Sequence, residues 1–279
     1  MVTRAALRLP YTPCRFRHKV FRGIGHPELA ALFGGEGCPA GQQPGINTTV
    51  YKRRPNFVRE VQVPTELHLP WSHLVIKQYG WRGGQHFLFS PLKRSKAMKA
   101  YRTACYLLAH GLLTPLPLGA FEGRRCGFIR YNFYVTEALT DFITLRKYCS
   151  TMPDGPGGMD EVLRLAAVYT RRMHDSGLWH RDMSLGNFLV AGPPGRRQLY
   201  LVDLNRARRL VYLPAWMRAL DLARMEWQAW RPQFLALYCD GRFPVHRMLR
   251  MAHLYTRWRA WRRRVLHRLN PLRIRLGLK

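Results

Sequence analysis

Apolar runs broken by single polar residues predict β-strands in the first half of the chain. Segments 48–51 and 57–63 read TTVY and FVREVQV, and the second alternates in part between apolar and polar positions, as a half-buried strand does. The run Leu74–Tyr79 carries one lysine, Lys77, which we expect to project from its strand into a cleft, although most lysines at strand ends are simply solvated. A further apolar strand is predicted over 126–137.

Helical spacing of apolar residues predicts helices in three further segments. The first extends from Ser95 to His110, with Ser95 as its N-cap and Gly111 as the residue that ends it. The other two, Ala138–Ser150 and Asp160–Ser176, are separated by a Pro- and Gly-rich stretch. Towards its end the chain is predicted to be helical and basic, with Asp221 buried or capping a loop.

Three polar side chains within residues 173–208 are framed by apolar runs. Asp182 and Asn187 bracket a tight turn that leads into an apolar run. Asp203 follows Leu199–Val202, whose β-branched and aromatic residues predict a short buried strand. A hairpin of this kind would bring a carboxylate, an amide and a second carboxylate to one edge of a cleft. Mg²⁺ that arrives with a nucleotide phosphate needs oxygen ligands of this type.

The segments His180–Asp182 and Asp203–Asn205, together with Asn187, resemble the protein-kinase signature H-R-D-L-x-x-x-N followed by D-F-G. Ser184 stands where protein kinases usually carry lysine, and leucine replaces the D-F-G phenylalanine. The resulting pattern, H-R-D-x-S-x-x-N-x-L-V, is similar to that of the bacterial lipopolysaccharide kinase family, which phosphorylates Kdo or heptose of the lipopolysaccharide inner core. The resemblance implies an α+β, bilobal protein-kinase-like fold, with a small antiparallel-sheet N-lobe containing one helix and a mostly helical C-lobe.

The resemblance also implies an ATP- and Mg²⁺-dependent kinase that transfers the γ-phosphate to a sugar hydroxyl. Asp182 is then expected to accept or orient the acceptor proton, and Asn187 with Asp203 to hold Mg²⁺. Lys77 matches the lysine of the kinase V-A-I-K strand, which binds the α- and β-phosphates. Thr136, Glu137 and Ala138 are expected to contact adenine through their backbone groups. His180 and Ser184 are expected to support the catalytic loop. Glu137 could instead be an acid at a helix N-terminus.

Two parts of the protein-kinase pattern are missing from the sequence. The glycine-rich phosphate loop should lie within 51–56, where three consecutive basic residues could perform part of its task. No Glu or Asp lies within 91–120, the segment that matches the kinase αC helix and its acid. Either Asp203 alone positions the strand lysine, or a carboxylate from elsewhere, such as Glu122 or Glu66, substitutes.

The chain is strongly basic, with 46 Lys and Arg against 16 Asp and Glu and a formal net charge of +30. Such a field implies a polyanionic partner, which could be nucleic acid, anionic lipid head groups or a phosphorylated glycolipid. The family resemblance favours the lipopolysaccharide core or a lipid A precursor, and an anionic inner-membrane surface, over nucleic acid. The six cysteines form no C-x-x-C pattern, and no apolar run approaches the ~20 residues of a membrane span. We therefore expect a cytoplasmic protein, peripheral on the cytoplasmic face of the inner membrane.

The chain is expected to divide into four parts. These are an accessory extension (1–45), the kinase-like N-lobe (46–137), the kinase-like C-lobe with the catalytic loop (138–240), and a basic Arg/Trp-rich helical tail (241–279). No acidic residue follows Val245, and arginines interleave with Trp258 and Trp261. A basic helix with tryptophans suits an anionic membrane surface, and it could equally be a nucleic-acid patch or a solvated terminal helix.

Two other functions stay open at the level of sequence. The first is a kinase-fold enzyme that acts on a protein or on another small molecule. The second is a pseudokinase or basic binding module for anionic lipid or nucleic acid. Four retained residues argue against loss of catalysis, namely Lys77, Asp182, Asn187 and Asp203.

Overall fold

The structure is a computed structural model that describes residues 9–18, 21–29, 48–52, 56–63, 70–80, 91, 93–153, 155–227 and 230–275. The chain folds into two compact units. Unit 1 comprises Met1–Asp141 with Tyr200–Arg206, and unit 2 comprises Phe142–Leu199 with Ala207–Lys279. The short segment 200–206 therefore returns from unit 2 to unit 1, and it carries Asp203.

Unit 1 is built on a seven-stranded antiparallel sheet. Its strands are β1 (Cys14–His18), β2 (Phe21–Gly25), β3 (Thr48–Lys52), β4 (Asn56–Gln62), β5 (His73–Tyr79), β6 (Pro117–Arg125) and β7 (Phe128–Glu137). The strand order is β1-β2-β6-β7-β5-β4-β3. Strands β1 and β2 lie within the segment 1–45 that was expected to be accessory, and β2 pairs with β6 to extend the sheet.

One face of this sheet carries a continuous apolar core. Val61, Leu74 and Ile76 are almost fully buried there, and Phe121 stacks on Phe133 with ring centroids 5.4 Å apart. Successive side chains of a strand point to opposite faces of its sheet. The lysine that follows Ile76 in β5 therefore lies on the face opposite this core.

Unit 1 contains helix α1 (Lys96–Ala109), which matches the predicted helix. Ser95 is the N-cap, and its Oγ accepts a hydrogen bond from Met98 N at 3.2 Å, as predicted from the sequence. The Asn132 side chain of β7 accepts a second first-turn amide, that of Ala97, at 3.1 Å. The helix packs on β6 and β7 and on the 3₁₀ turn Leu204–Arg206, directly after Asp203.

Unit 2 is mostly helical, with short strands around the catalytic loop. Its elements are β8 (Phe142–Thr144), α2 (Leu145–Thr151), α3 (Gly155–Asp175), β9 (Leu178–Trp179), β10 (Phe188–Ala191), β11 (Gln198–Leu201, entering unit 1), β12 (Arg208–Arg209), α4 (Ala215–Leu222), α5 (Arg231–Cys239) and α6 (Val245–Arg275). The mixed α+β class expected from the sequence is confirmed. No helix in the described part of the chain is long and apolar enough to cross a membrane.

Two predicted helix boundaries in this unit were wrong. The helix predicted from Ala138 begins only at Leu145, because β8 first pairs antiparallel with β10, with Ile143 opposite Val190. Thr144 then serves as the N-cap and accepts a hydrogen bond from Lys147 N at 3.3 Å. The helix predicted from residue 160 begins earlier, at 155, inside the Pro- and Gly-rich stretch that was expected to be a loop.

Candidate active site

Lys77 and Asp203 form an ion pair inside unit 1. Lys77 lies in the middle of β5, opposite Val58 on one side and Tyr134 on the other. Its Nζ is 2.7 Å from Asp203 Oδ1, and the two side chains are 17% and 27% exposed. Asn205 donates its side-chain amide to the same carboxylate oxygen. The two unit-1 residues that the sequence assigns to phosphate and metal are therefore brought together.

Contacts of the residues on either side of Asp203 hold the turn that presents it. Leu201 N donates to Leu113 O at 3.1 Å, and Thr114 Oγ1 donates to Leu201 O at 2.7 Å. On the other side, Leu204 is 2% exposed beneath α1. Asp203 has a φ of +63°, a left-handed conformation that aspartate adopts more readily than most residues other than glycine. The contacts of its neighbours position the carboxylate.

The structure accounts for one of the two carboxylates proposed as substitutes for the missing helix acid. Glu122 is buried in β6, and its Oε1 contacts Arg22 Nη2 at 2.6 Å and Arg124 Nε at 2.9 Å. Burial alone would raise the pKa of Glu122, but hydrogen bonds from Arg124, Ser95 and Arg22 outweigh it and the pKa is lowered. Glu122 therefore serves this arginine cluster. Glu66 lies outside the described residues, as do two of the three basic residues at 52–54.

The residues predicted to contact adenine lie at the end of β7. The Glu137 amide donates to Leu116 O at 3.1 Å, and the Ala138 amide donates to His73 O at 3.2 Å. Glu137 Oε1 accepts the Leu116 amide at 2.9 Å, so this side chain holds two parts of unit 1 together. The alternative role of Glu137 as an acid at a helix N-terminus was wrong, because β8 separates it from the next helix.

The catalytic loop of unit 2 joins β9 to β10. Asn187 closes the 3₁₀ turn Leu185–Asn187, and its Nδ2 donates to the backbone oxygen of Asp182 at 2.8 Å. Ser184 precedes the turn in an extended conformation, and its carbonyl accepts the Asn187 amide at 3.0 Å. The Asp182 side chain is 36% exposed. The structure thus brings Asp182 and Asn187 together within unit 2.

A buried carboxylate anchors this loop. Asp221 of α4 is fully buried, and its two oxygens accept the backbone amides of His180 and Arg181 at 2.8 Å each. The prediction that Asp221 is buried or caps the loop is confirmed. Arg181 has a φ of +68°, so the anchor sits where the backbone is strained. His180 is also fully buried, and its Nδ1 accepts the Asp182 amide at 3.3 Å.

Sequence reasoning missed a cation beside the Asp182 carboxylate. Arg224 lies in the turn after α4, and its Nη1 is 3.5 Å from Asp182 Oδ1. Its Nη2 donates to the Tyr255 hydroxyl of α6 at 2.9 Å. Arg224 is one of many arginines in a basic segment, and no local spacing links it to residue 182. Only the tertiary packing of α4 and α6 reveals it.

The site residues predicted from the sequence fall within one family match. The sequence profile of the lipopolysaccharide kinase (Kdo/WaaP) family matches residues 63–236. The chain belongs to this lipopolysaccharide kinase family. The match covers Lys77, the catalytic loop and Asp203, whereas α6 lies beyond it.

Two curated kinases resemble this chain over a stretch of about 100 residues. Two proteins named lipopolysaccharide core heptose(I) kinase WaaP, from Escherichia coli and from its strain K12, are 30% identical over 100 residues and 34% identical over 101 residues. Each aligned stretch covers 33% of this chain and only 38% of the curated relative.

A solved structure of the same family confirms the protein-kinase-like bilobal fold. The structure described as WaaP in complex with acyl carrier protein has a TM-score of 0.55 and 19% sequence identity to this chain. The likeness covers 89% of this chain and 99% of that one.

Proposed function

We propose that the protein is an ATP-dependent kinase that transfers the γ-phosphate to a sugar hydroxyl of the lipopolysaccharide inner core, either Kdo or heptose. The observation that carries the proposal is the 2.7 Å ion pair between Lys77 and Asp203. Both residues stand at the positions that the kinase signature assigns to phosphate and metal binding. Membership of a lipopolysaccharide kinase family supports a sugar acceptor.

The donor set fits an Mg²⁺ ion that is bound together with a nucleotide. Among the described residues, no group of three or more His, Cys, Asp or Glu side chains is arranged to hold a metal. Mg²⁺ at phosphate-transfer sites is held by one or two protein oxygens together with substrate phosphates, and needs no such cage. We assign Asn187 and Asp203 to it, because the Nδ2 bond of Asn187 fixes its amide oxygen as an acceptor. When bound, Mg²⁺ would neutralise charge on the β- and γ-phosphates.

Nucleotide binding is assigned to residues of unit 1. Lys77 is assigned to the α- and β-phosphates. Its ammonium group has three N–H donors, and the hydrogen bond to Asp203 leaves donors that can bind phosphate oxygens. Thr136, Glu137 and Ala138 are assigned to adenine. The amides of Glu137 and Ala138 are already bonded within unit 1, so their contacts to the base would come from carbonyl oxygens.

Transfer itself is assigned to the loop of unit 2. The sugar oxygen bonds to the γ-phosphorus, the bond from that phosphorus to the bridging oxygen breaks, and ADP leaves. Asp182 accepts or orients the hydroxyl proton through its side-chain oxygens, which are accessible. His180 holds the Asp182 amide, and Ser184 begins the turn that positions Asn187. Catalysis of this kind depends mainly on positioning and charge stabilisation.

The same proposal sets the location and the partner of the enzyme. The acceptor is the core of lipopolysaccharide or of a lipid A precursor, which is an anionic glycolipid. A formal charge of +30 favours approach to such a surface. We propose a cytoplasmic enzyme that acts peripherally on the cytoplasmic face of the inner membrane.

The decisive experiment is transfer of radiolabelled phosphate from ATP to purified core acceptors that end in Kdo or in heptose. We expect wild-type protein to label one of them, and Asp182→Asn to lower the rate by about 10²–10⁴-fold, the usual contribution of a general base. Asp160→Asn is the matched control, since Asp160 lies on α3 and accepts an exposed hydrogen bond from Gln233 at 2.8 Å. Equal incorporation by wild-type protein and Asp182→Asn would contradict the proposal.

A second measurement separates an enzyme from a pseudokinase or binding module. The missing helix acid and glycine-rich loop are the observations that favour such a module. Thermal unfolding with and without Mg²⁺-ATP tests it, because a ligand that binds only the folded state raises the unfolding temperature. We expect stabilisation of wild-type protein and its loss in Asp203→Ala. No stabilisation of the wild type would favour the module.

A further inference from the structure

Helix α6 exposes an apolar stripe on one side. Leu254, Trp258 and Trp261 follow one another at spacings of four and three residues, which places them on the same face of a helix. They are 57%, 47% and 59% exposed. Met248 and Ala252 of the same helix are buried, and they pack on other helices of unit 2. We call the three exposed residues the outer stripe.

Exposed arginines border the outer stripe. Arg257, Trp258, Trp261 and Arg264 line one groove on the helix surface. Arg262 lies over the ring of Trp258, with its guanidinium carbon 5.5 Å from the ring centroid. No acidic residue follows Val245 in the sequence. The partner of this face must therefore be apolar at the stripe and anionic around it.

We propose that the outer stripe of α6 docks on an anionic phospholipid bilayer, an inference that deepens the proposed function by naming the element that holds the enzyme at its membrane. Indole rings are stable at the boundary between head groups and acyl chains, and arginines beside them meet anionic head groups. An aliphatic side chain such as Leu254 belongs in the same layer. The helix is 31 residues long and lies beyond the family match.

The geometry of the aromatic rings disfavours nucleic acid as the occupant. Single-stranded nucleic acids bind by stacking bases on open aromatic faces. Trp258 already stacks on Tyr255, with centroids 5.6 Å apart and planes at 24°, and Arg262 approaches the same ring. The leucine of the stripe offers no stacking surface. A second copy of the chain is disfavoured too, because two such helices would bring like charges together without a single acidic side chain.

The test is co-sedimentation with vesicles of phosphatidylcholine alone and of phosphatidylcholine with 30% phosphatidylglycerol, a composition of about one anionic lipid in three. We expect the full-length protein to bind the anionic vesicles selectively, with a blue shift of tryptophan fluorescence. The double variant Leu254→Ala/Trp261→Ala, which leaves the stacking of Trp258 on Tyr255 intact, should bind about tenfold or more weakly. Trp216→Ala is the matched control, since Trp216 is 53% exposed on α4 and lies outside the stripe.

Several results would overturn this inference. They are absence of wild-type binding to anionic vesicles, equal binding by the double variant, and stripe-dependent binding of single-stranded RNA without vesicle binding. Stripe-dependent self-association without vesicle binding would do the same. Phosphorylation of a detergent-free, delipidated core oligosaccharide should be the same for wild type and double variant. If only docking fails as an explanation, the wild type still phosphorylates this oligosaccharide. If the kinase proposal fails, the wild type has no activity on it.

A second inference rests on a different contact, that between Arg224 and Asp182. Ser184 stands where protein kinases place a lysine, so the catalytic loop lacks a cation of its own at that position. Arg224 Nη1 is 3.5 Å from Asp182 Oδ1. The guanidinium is held in turn by the Tyr255 hydroxyl at 2.9 Å and lies 5.8 Å from the centroid of that ring. We infer that Arg224 is a positioning residue that replaces the missing loop cation and orients Asp182.

Steady-state kinetics of sugar phosphorylation tests this second inference, which also rests on the proposed function. Arg224→Met should lower kcat by about tenfold or more with the KM for ATP unchanged, and Arg224→Lys should recover part of the loss. Arg242→Met is the control, because Arg242 pairs with Asp175 away from the loop. An unchanged kcat in Arg224→Met, or equal losses in the Met and Lys variants, would refute the inference. An inactive wild type would instead refute the kinase proposal.

Discussion

Replacing Asp221 with alanine should loosen the catalytic loop and destabilise unit 2. The carboxylate is fully buried and accepts the amides of His180 and Arg181 at 2.8 Å each. Hydrogen bonds to a charged acceptor are stronger than neutral ones. Alanine has no acceptor, so both amides lose this partner, while Arg181 keeps its left-handed backbone conformation.

The expected loss follows from the cost of unpaired donors. Each buried donor without a partner costs about 1–3 kcal/mol, which gives about 2–6 kcal/mol for the pair. Two effects lower this figure. The Arg181 amide belongs to a residue that is only half-buried and can meet water, and removing a buried charge also removes its desolvation penalty. We therefore expect the free energy of unfolding to fall by about 2–4 kcal/mol.

Two measurements check this expectation for Asp221. Urea unfolding followed by circular dichroism reports the change in the free energy of unfolding. Hydrogen exchange of the loop peptide that contains residues 180–182 reports whether the loop opens locally. Asp221→Asn keeps one side-chain oxygen as an acceptor and should show a smaller loss. Asp160→Ala is the control, and we expect it to change stability by less than about 0.5 kcal/mol, as surface substitutions usually do.

The reasoning fails if the two aspartates behave alike. Equal unfolding midpoints for Asp221→Ala and Asp160→Ala, with unchanged exchange at the loop, would mean that the two 2.8 Å bonds do not anchor it. A loss in Asp221→Asn as large as that in Asp221→Ala would show that the charge matters rather than the number of acceptors.

Three further predictions follow from contacts elsewhere in the two units. Lys77→Met should weaken ATP binding by about tenfold or more and reduce the thermal stabilisation by Mg²⁺-ATP, because it removes the cation that pairs with Asp203 and that we assign to the phosphates. Unchanged stabilisation would contradict this. Burial lowers the pKa of His174 below its ordinary 6.5, so the unfolded chain binds a proton that the folded chain does not. The free energy of unfolding should therefore fall as the pH decreases below 6.5, by at most about 1.4 kcal/mol per pH unit, and urea titrations of His174→Asn should show a flatter dependence. Gly177→Ala should lower the free energy of unfolding by about 2 kcal/mol or more, since Gly177 has a φ of +81° and a Cβ would lie 2.1 Å from Leu210 O. Gly157→Ala, with nothing within 4 Å, should be neutral or slightly stabilising in the same urea measurement.

The residues with strong local signals could be predicted from sequence. Helix α1 was identified from its N-cap serine and its apolar spacing, and the structure gives it nearly the same bounds. Lys77 was recognised as one lysine in an apolar strand, and Asp203 as the residue after another apolar run. In each case the pattern that identifies the residue is also the pattern that folds its strand.

Features that depend on distant pairing could not be predicted in the same way. Strand β8 replaces the start of a predicted helix only because it finds β10 as a partner, more than forty residues later in the chain. Strands β1 and β2 are rich in arginine and glycine, and their place in the sheet depends on pairing with β6. The Arg224 contact depends on two helices meeting at the loop. In each case the partner lies too far away in the sequence for the spacing of apolar residues in one segment to reveal it.

Lys77 pairs with Asp203 and not with an acid of α1. In protein kinases the strand lysine pairs with a glutamate on αC, and moving that helix controls activity. Helix α1 has no acidic residue with which to form such a pair. Here Asp203 is the partner, and its turn is held by hydrogen bonds at Leu201 and by burial of Leu204 beneath α1. The pairing of Lys77 with Asp203 therefore needs no acid on α1, although the turn that carries Asp203 packs on that helix.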